Sequence, residues 1–180
     1  MLRFIRSYII QILIKKEMRK VVRTKKVVNL SQAQSIGIII AIDNEATYQY
    51  INRIVSSLIQ DNKEVKIIAF FPLKMLPNYY ITKLKMDAFL PKDVNLLGLA
   101  RPAFVENFIK QEFDLLIDLT TSDFHSLNYI AGCSHANFKV GRYRENMIHV
   151  FDFMIKKPSK MSNNKFCDTV FSYLRTINSR

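Results

Sequence analysis

The strongest constraint on the fold is a pair of short apolar runs separated by an amphipathic stretch. The runs are residues 36–42 (IGIIIAI) and 65–71 (VKIIAFF), and both are rich in β-branched or aromatic side chains. Runs of this kind are typical of strands that are covered on both faces. Between them, residues 45–60 repeat apolar side chains with a helical period. A strand, a helix and a second strand imply parallel pairing through a right-handed crossover.

The same alternation continues toward the C-terminus. The pattern predicts further strands at residues 87–90, 113–119, 138–141 and 150–155. Helical patterns follow Pro102, include residues 127–131, and close the chain over residues 166–177. We therefore predict the α/β class, as a three-layer Rossmann-like sandwich with a mostly parallel sheet, over residues 31–180.

Residues 1–30 are predicted to be a basic N-terminal helix that starts with an apolar block. The chain has 180 residues and a net charge of +12. Up to Val28, nine basic side chains stand against the single acid Glu17, so +8 of that charge lies in this segment. The basic side chains are Arg3, Arg6, Lys15, Lys16, Arg19, Lys20, Arg23, Lys25 and Lys26. Such a concentration of charge attracts lipid headgroups or nucleic-acid phosphates.

Three interpretations of this segment are open. Its apolar block, residues 4–14, is shorter than the roughly 20 residues that cross a bilayer, but it suits shallow insertion into an anionic leaflet. The block could instead pack on a partner protein while the cations contact ribosomal or other RNA. In the third interpretation, the helix folds back onto its own sheet. We expect a cytoplasmic protein, peripheral at the inner membrane under the first interpretation.

The sequence lacks the usual nucleotide-binding and metal-binding motifs. Neither G-x-G-x-x-G nor G-x-x-x-x-G-K-[ST] occurs, and the loop after the first predicted strand carries the carboxylates of Asp43 and Glu45, which repel phosphate. Cys133 and His135 are too few ligands for a metal site, and a lone cysteine is usually a small buried hydrophobe. We therefore expect no cofactor, no metal and no catalytic residue among them.

Polar side chains follow several of the predicted strands. They are Asp43, Thr120, Thr121, Ser122, Asp123, Arg142 and Arg144. The carboxyl ends of parallel strands meet at one edge of the sheet, where ligands bind, so together these residues could hold a polar ligand. The alternative is that they cap helices and line solvated turns. Asp118, inside an apolar strand, needs a partner or a place near the rim.

Two segments show a resemblance to a known family. Residues 112–119 (EFDLLIDL) and 138–143 (FKVGRY) resemble the N-terminal half of heptosyltransferase-type glycosyltransferases, which have two Rossmann-like domains. The resemblance implies that Asp43 acts as catalytic base. The glycine that precedes this acid in the family is missing here, and the chain ends before a sugar-nucleotide domain, so a partner subunit would have to complete the enzyme.

The whole chain more closely resembles a small uncharacterised bacterial family of similar length. The resemblance is carried by residues 27–30, 35–37, 113–119, 139–143 and 173–178. It implies a stand-alone Rossmann-like domain and supplies no activity. The leading hypothesis is therefore a non-enzymatic binding or adaptor domain that docks to an anionic surface, either the inner membrane leaflet or the ribosome and its RNA. The alternative is a glycosyltransferase-like, carbohydrate-processing protein completed by a partner.

Overall fold

The structure, a computed structural model, describes residues 12, 15–81, 85–100 and 102–177. Its centre is one sheet of six strands in the order β3-β2-β1-β4-β5-β6, and every neighbouring pair is parallel. The strands are β1 (Ser35–Ala41), β2 (Glu64–Phe70), β3 (Met86–Phe89), β4 (Leu115–Asp118), β5 (Phe138–Arg142) and β6 (Phe153–Ile155). The predicted α/β class and the predominance of parallel pairing are confirmed.

In the described part of the chain, four helices of eight or more residues cover the two faces of the sheet. They are α1 (Glu45–Gln60), α2 (Ala103–Lys110), α3 (His125–Cys133) and α4 (Asn163–Thr176). The apolar side chains of α1 and α4 belong to one core cluster and those of α2 and α3 to the other, with the sheet between them. The strands are apolar on both faces because both faces are covered, which is the three-layer arrangement that the sequence predicted.

The sequence of β1 shows how tightly the layers meet. The consecutive residues Ile38 and Ile39 of this strand point to opposite faces of the sheet, and their side chains pack in different core clusters. Gly37 lies against the ring of Phe113, where an added Cβ atom would come within 2.8 Å of a ring carbon. A glycine is needed here because the aromatic ring occupies the space of a side chain.

The strand order reverses direction between β1 and β4. The chain first builds outward through β2 and β3, and then returns to the other side of β1. Ligands of open parallel sheets bind beyond the carboxyl ends of the strands at such a switch point. This edge therefore positions the polar residues that follow β1, β4 and β5.

The described part of the N-terminal segment is only briefly helical. Residues 15–18 are helical, whereas residues 21–29 have no regular secondary structure. The backbone N–H of Lys26 donates to the carbonyl of Asn137 at 3.2 Å, and that of Leu30 donates to the carbonyl of Leu174 at 2.8 Å. The segment thus packs along the domain by backbone pairing rather than as one continuous helix. The predicted helix of residues 1–14, apart from Ile12, lies outside the described residues.

One further difference from the predicted elements has a local cause. The last strand, predicted to begin at Val150, begins at Phe153. Val150 instead donates its backbone N–H to the carbonyl of Met147 in a turn that follows the short 3-10 helix Glu145–Met147.

In the part of the chain that the structure describes, no helix combines the length and the apolar character that crossing a membrane requires.

Candidate functional site

The buried guanidinium of Arg144 is the centre of a polar cluster at the carboxyl edge of the sheet. Its Nη2 lies 2.5 Å from Asp118 Oδ2, while its Nη1 lies 2.7 Å from Asn128 Oδ1 and 3.2 Å from Asp123 Oδ1. The guanidinium also lies over the ring of Phe151, 5.6 Å from the ring centroid. We call the residues Asp118, Thr120, Asp123, Asn128, Arg142 and Arg144 the strand-end cluster.

Neighbouring elements bring these side chains together. Asp118 ends β4, and its register partner on β5 is Gly141, so the residues just beyond Gly141 lie beside it. The second oxygen of Asp118 accepts the backbone N–H of Thr120 at 2.9 Å, which fixes the carboxylate within the strand end. A buried carboxylate is tolerated here because both of its oxygens accept hydrogen bonds and one is paired with a cation.

Asp123 and Arg142 form the solvent-facing side of the strand-end cluster. The side chain of Asp123 is 60% exposed, and its Oδ1 lies 3.5 Å from Arg142 Nη2. The same oxygen contacts Arg144, so one exposed carboxylate faces two guanidinium groups. Charge-assisted hydrogen bonds are usually 2.7–2.9 Å long, so both contacts of Asp123 are long for their type.

Three buried polar atoms of the cluster have no hydrogen-bond partner. They are Thr120 Oγ1, Arg142 Nε and Arg144 Nε, and within the described residues they are all the unpaired buried side-chain nitrogens and oxygens. Buried polar groups are normally paired, because an unpaired one costs about 1–3 kcal/mol. The unpaired atoms include two N–H donors and one hydroxyl, so what the site lacks is an acceptor.

The other predicted residues of this edge do not join the strand-end cluster. Asp43 is exposed after β1 and accepts hydrogen bonds from its neighbours Asn44 and Thr47, as expected for the capping interpretation. Its charge contributes, after burial and Glu45, to raising the pKa of Tyr79. In the described chain, no hydrogen bond or ion pair links Asp43, or Thr121 and Ser122, to the arginines.

A second candidate site is a basic groove between the N-terminal segment and the domain. The groove has a volume of about 590 Å³ and lies beside the end of α3 and residues 146–150. Six of its lining side chains are basic: Lys15, Arg19, Arg23, Lys25, Lys139 and His149. The remaining lining residues are apolar or neutral, and none of the described lining residues is acidic. We call this surface the basic groove.

Arg23 anchors the N-terminal segment at the floor of the groove. Its guanidinium lies 2.7 Å from Asp152 Oδ1 and donates to the carbonyls of Ala136 and Asn137 at 3.3 and 2.9 Å. Burial alone would raise the pKa of Asp152, but the hydrogen bonds from Arg23 and the Lys139 backbone, with the nearby positive charges, hold that pKa below its ordinary value. Arg23 is therefore committed to the domain and cannot serve an outside surface.

Lys139 is a buried lysine beside the same carboxylate. It is 2% exposed, and its Nζ donates to the carbonyls of Ala131 and Gly132, 2.9 and 3.1 Å away, at the end of α3. Burial, followed by the charge of Arg23, lowers the pKa of Lys139 to about 7. The sequence did not single out this residue, because a lysine inside a strand pattern looks like a solvated position.

The remaining predicted cations of the N-terminal segment differ in their availability. Lys20 pairs with Glu17 at 2.7 Å, and Lys25 lies 3.4 Å from Asp152. Lys15, Lys16, Arg19 and Lys26 are exposed and form no ion pair with described residues. Arg3 and Arg6 lie outside the described residues.

The cysteines and histidines supply no further site. Burial raises the pKa of Cys133 to about 11 and that of Cys167 to about 12, so both thiols are protonated at neutral pH. A protonated thiol is a poor nucleophile and a poor metal ligand. Among the described residues, no three metal-binding side chains come together.

Comparison with known proteins yields a family but no activity. The model of a family of unknown function, DUF6913, matches residues 6–177. No curated protein and no solved structure matches the chain. The comparisons thus agree with the resemblance to an uncharacterised family and give the glycosyltransferase resemblance no support.

Proposed function

We infer that this chain, which belongs to the family of unknown function DUF6913, is a non-enzymatic docking domain that attaches to an anionic membrane surface through its N-terminal segment. The single observation that carries the proposal is the basic groove, whose described lining contains six basic side chains and no acidic one. Arg23 and Lys25 are paired with Asp152, whereas Lys15 and Arg19 form no ion pair with a described residue, so their charges are available to an outside anion.

The cations of the N-terminal segment and the groove are of two kinds: some bind the domain itself, and others are exposed and can contact a membrane. Arg23 and Lys139 form the floor of the groove and hydrogen-bond to the domain, whereas Lys15 and Arg19 stand exposed at its rim. With Lys16 and Lys26, four exposed cations are free of ion pairs with described residues. At about 1 kcal/mol for each cation near an anionic leaflet, four would strengthen attachment roughly a thousandfold.

Exposed aliphatic side chains beside these cations favour a membrane over RNA. Val22 is 87% exposed between Arg19 and Lys25, and Ile12 is also exposed. An RNA phosphate backbone offers no apolar surface on which exposed aliphatic side chains can pack. The lipid headgroup boundary, by contrast, buries aliphatic side chains and attracts cationic ones. The apolar residues 4–14 directly precede this surface in the sequence.

The test is co-sedimentation of the full-length protein with vesicles. We expect binding to vesicles that contain phosphatidylglycerol, no binding to pure phosphatidylcholine, and loss of binding as salt rises, because exposed charges are screened. A parallel arm uses ribosomes. Sedimentation with ribosomes but not with anionic vesicles would overturn the membrane proposal and transfer the groove to RNA.

The second candidate, a carbohydrate-processing protein completed by a partner subunit, rests on Asp43. Its exposed carboxylate follows β1, beside the switch in strand order. Under this candidate, a sugar nucleotide raises the melting temperature of the native protein, and Asp43→Asn removes that shift without changing the melting temperature of the free protein. The candidate fails if no sugar, nucleotide or sugar phosphate shifts the native protein.

A further inference from the structure

The strand-end cluster has donors in excess of acceptors. Asp118 accepts from the Arg144 guanidinium and from the backbone of Thr120, and Asn128 accepts from the same guanidinium. After these bonds, Nε of Arg144 and Nε of Arg142 are still unpaired although buried. The hydroxyl of Thr120, whose backbone N–H binds Asp118, is also buried and unpaired, and a hydroxyl can donate as well as accept.

The charges of the cluster depend on one exposed residue. Arg142 and Arg144 contribute two positive charges, and the buried Asp118 balances one of them. The second is balanced by Asp123, which is 60% exposed and touches both guanidinium groups only at 3.2 and 3.5 Å. An exposed carboxylate with two long contacts is the partner that solvent and a competing anion displace most easily.

We propose that the strand-end cluster is a binding site for a small oxyanion, a carboxylate or a phosphate group, and that the Asp123 carboxylate occupies its place in the free protein. Guanidinium groups bind the oxygens of both kinds of anion with paired hydrogen bonds. The site lies at the carboxyl edge of a parallel sheet, where the ligands of this architecture bind. It is separate from the basic groove and does not depend on the proposed membrane attachment.

The arrangement accounts for each unusual feature of the cluster. Asp118 and Asn128 hold the Arg144 guanidinium in one orientation, so little entropy is lost when an anion arrives. Asp123 follows β4 in the segment before α3, so its carboxylate can leave without disturbing the sheet. Displacement removes a carboxylate with long contacts and leaves both guanidinium groups, which still have unpaired Nε–H donors, to the incoming anion.

The arginine side chains themselves provide the readout. In ¹⁵N-labelled full-length protein, the Nε–H resonances are assigned by their loss in Arg142→Lys and Arg144→Lys. Inorganic phosphate and malonate are titrated separately, with sodium chloride at matched ionic strength as the control. We expect saturable shifts of the Arg142 and Arg144 signals with one or both anions, which also separates phosphate from carboxylate recognition. Phosphate held in the basic groove would instead move the signals of Arg19 and Arg23.

Variants test the role assigned to Asp123. Asp123→Asn removes the carboxylate that competes with the anion. We expect the anion to bind about tenfold more tightly, because it no longer has to displace an exposed ion pair. Asp61→Asn, which alters an exposed acid at the end of α1, is the matched control and leaves the affinity unchanged. Thr120→Val should weaken binding while leaving the free protein at least as stable, because it replaces an unpaired buried hydroxyl.

Two results would overturn the proposal. One is the absence of a saturable shift of the Arg142 and Arg144 signals in both the native protein and Asp123→Asn. The other is a shift that sodium chloride reproduces at the same ionic strength, which would show screening of the existing ion pairs rather than binding.

Discussion

Arg144 and Asp118 form an ion pair that is closed to solvent, with 2.5 Å between Nη2 and Oδ2 and side-chain exposures of 3% and 0%. The pair joins the ends of β4 and β5 and locks the edge of the sheet on which the strand-end cluster lies. Removing charges from water is costly, so such a pair specifies a geometry more than it adds stability. It follows that breaking the pair and replacing the pair should have very different consequences.

The first prediction compares these two changes. Arg144→Met leaves the Asp118 carboxylate buried without a cation and should lower the free energy of unfolding by about 3–5 kcal/mol. The double variant Asp118→Leu/Arg144→Met leaves no buried charge at this position, so we expect it to recover most of that loss. Urea denaturation measures both. If the double variant is as unstable as Arg144→Met, the buried charge is not the cause.

The second prediction concerns pH and Lys139, whose pKa is lowered to about 7 from its ordinary value of 10.5. Between these values the unfolded chain binds more protons at this lysine than the folded chain does. Because of Lys139, the free energy of unfolding therefore increases as pH rises above 7, by up to about 1.4 kcal/mol per pH unit. Lys139→Met should lack this gain.

Measurements between pH 7 and 9 isolate the effect. As pH approaches 9, the ordinary pKa of a thiol, the buried thiols of Cys133 and Cys167, with pKa values raised to about 11 and 12, begin to act in the opposite direction, but the native protein and Lys139→Met share this contribution. Urea denaturation of the native protein and of Lys139→Met at pH 7, 8 and 9 should give profiles that diverge. Parallel profiles would mean that Lys139 keeps its ordinary pKa in the folded protein.

The third prediction concerns the attachment of the N-terminal segment at Asp152. Asp152→Asn removes the ion pairs with Arg23 and Lys25, and hydrogen bonds to charged groups are worth about 1.5–3 kcal/mol. We expect the segment to detach more often, so that trypsin cleaves it about tenfold faster or more, because local opening exposes the cleavage sites.

The control for this experiment is Asp61→Asn, which changes an exposed acid at the end of α1 that forms no ion pair with a described residue. It should be cleaved at the native rate. Equal rates for Asp152→Asn and the native protein would show that the ion pairs of Asp152 do not hold the segment, which would leave the backbone contacts of Lys26 and Leu30 and the bonds from Arg23 to the carbonyls of Ala136 and Asn137.

Much of the fold was predictable because its strands are buried on both faces. The run that contains Ile38 and Ile39 can be continuous only in a covered sheet, and the helical period of α1 places Ile51 and Val55 in one core cluster. The N-terminal segment was less predictable. Its charge pattern suits a helix, but Met18 packs against Gly132 and Arg23 reaches Asp152, and these tertiary contacts have no periodicity in the sequence.

The candidate sites were predictable as residue types and not as geometry. Proximity to strand ends singled out Asp123, Arg142 and Arg144, which the structure brings into contact. Asn128 joins them from α3, and nothing in its helical surroundings distinguishes it as a ligand of an arginine. The sequence also places Asp43 at this edge of the sheet. Its hydrogen bonds are nevertheless to near neighbours, because the same loop caps α1.

The exposed cations at the rim of the basic groove are the residues that would contact the membrane. The fourth prediction compares Lys15→Glu/Arg19→Glu with the matched control Lys74→Glu/Lys92→Glu, which reverses two exposed cations after β2 and β3, on the far side of the sheet from β5. Both double variants change the net charge equally. Deletion up to Lys26 is less informative, because it also removes the packing of Met18 and Arg23.

The most direct measurement is the dissociation constant of these two double variants and the native protein for phosphatidylglycerol vesicles. We expect Lys15→Glu/Arg19→Glu to weaken attachment by about a hundredfold or more, at about 1 kcal/mol for each cation lost and a further penalty for each acid gained. The control should stay close to the native value. Equal weakening in both variants would rule out the basic groove as the attachment surface, because attachment would then follow net charge.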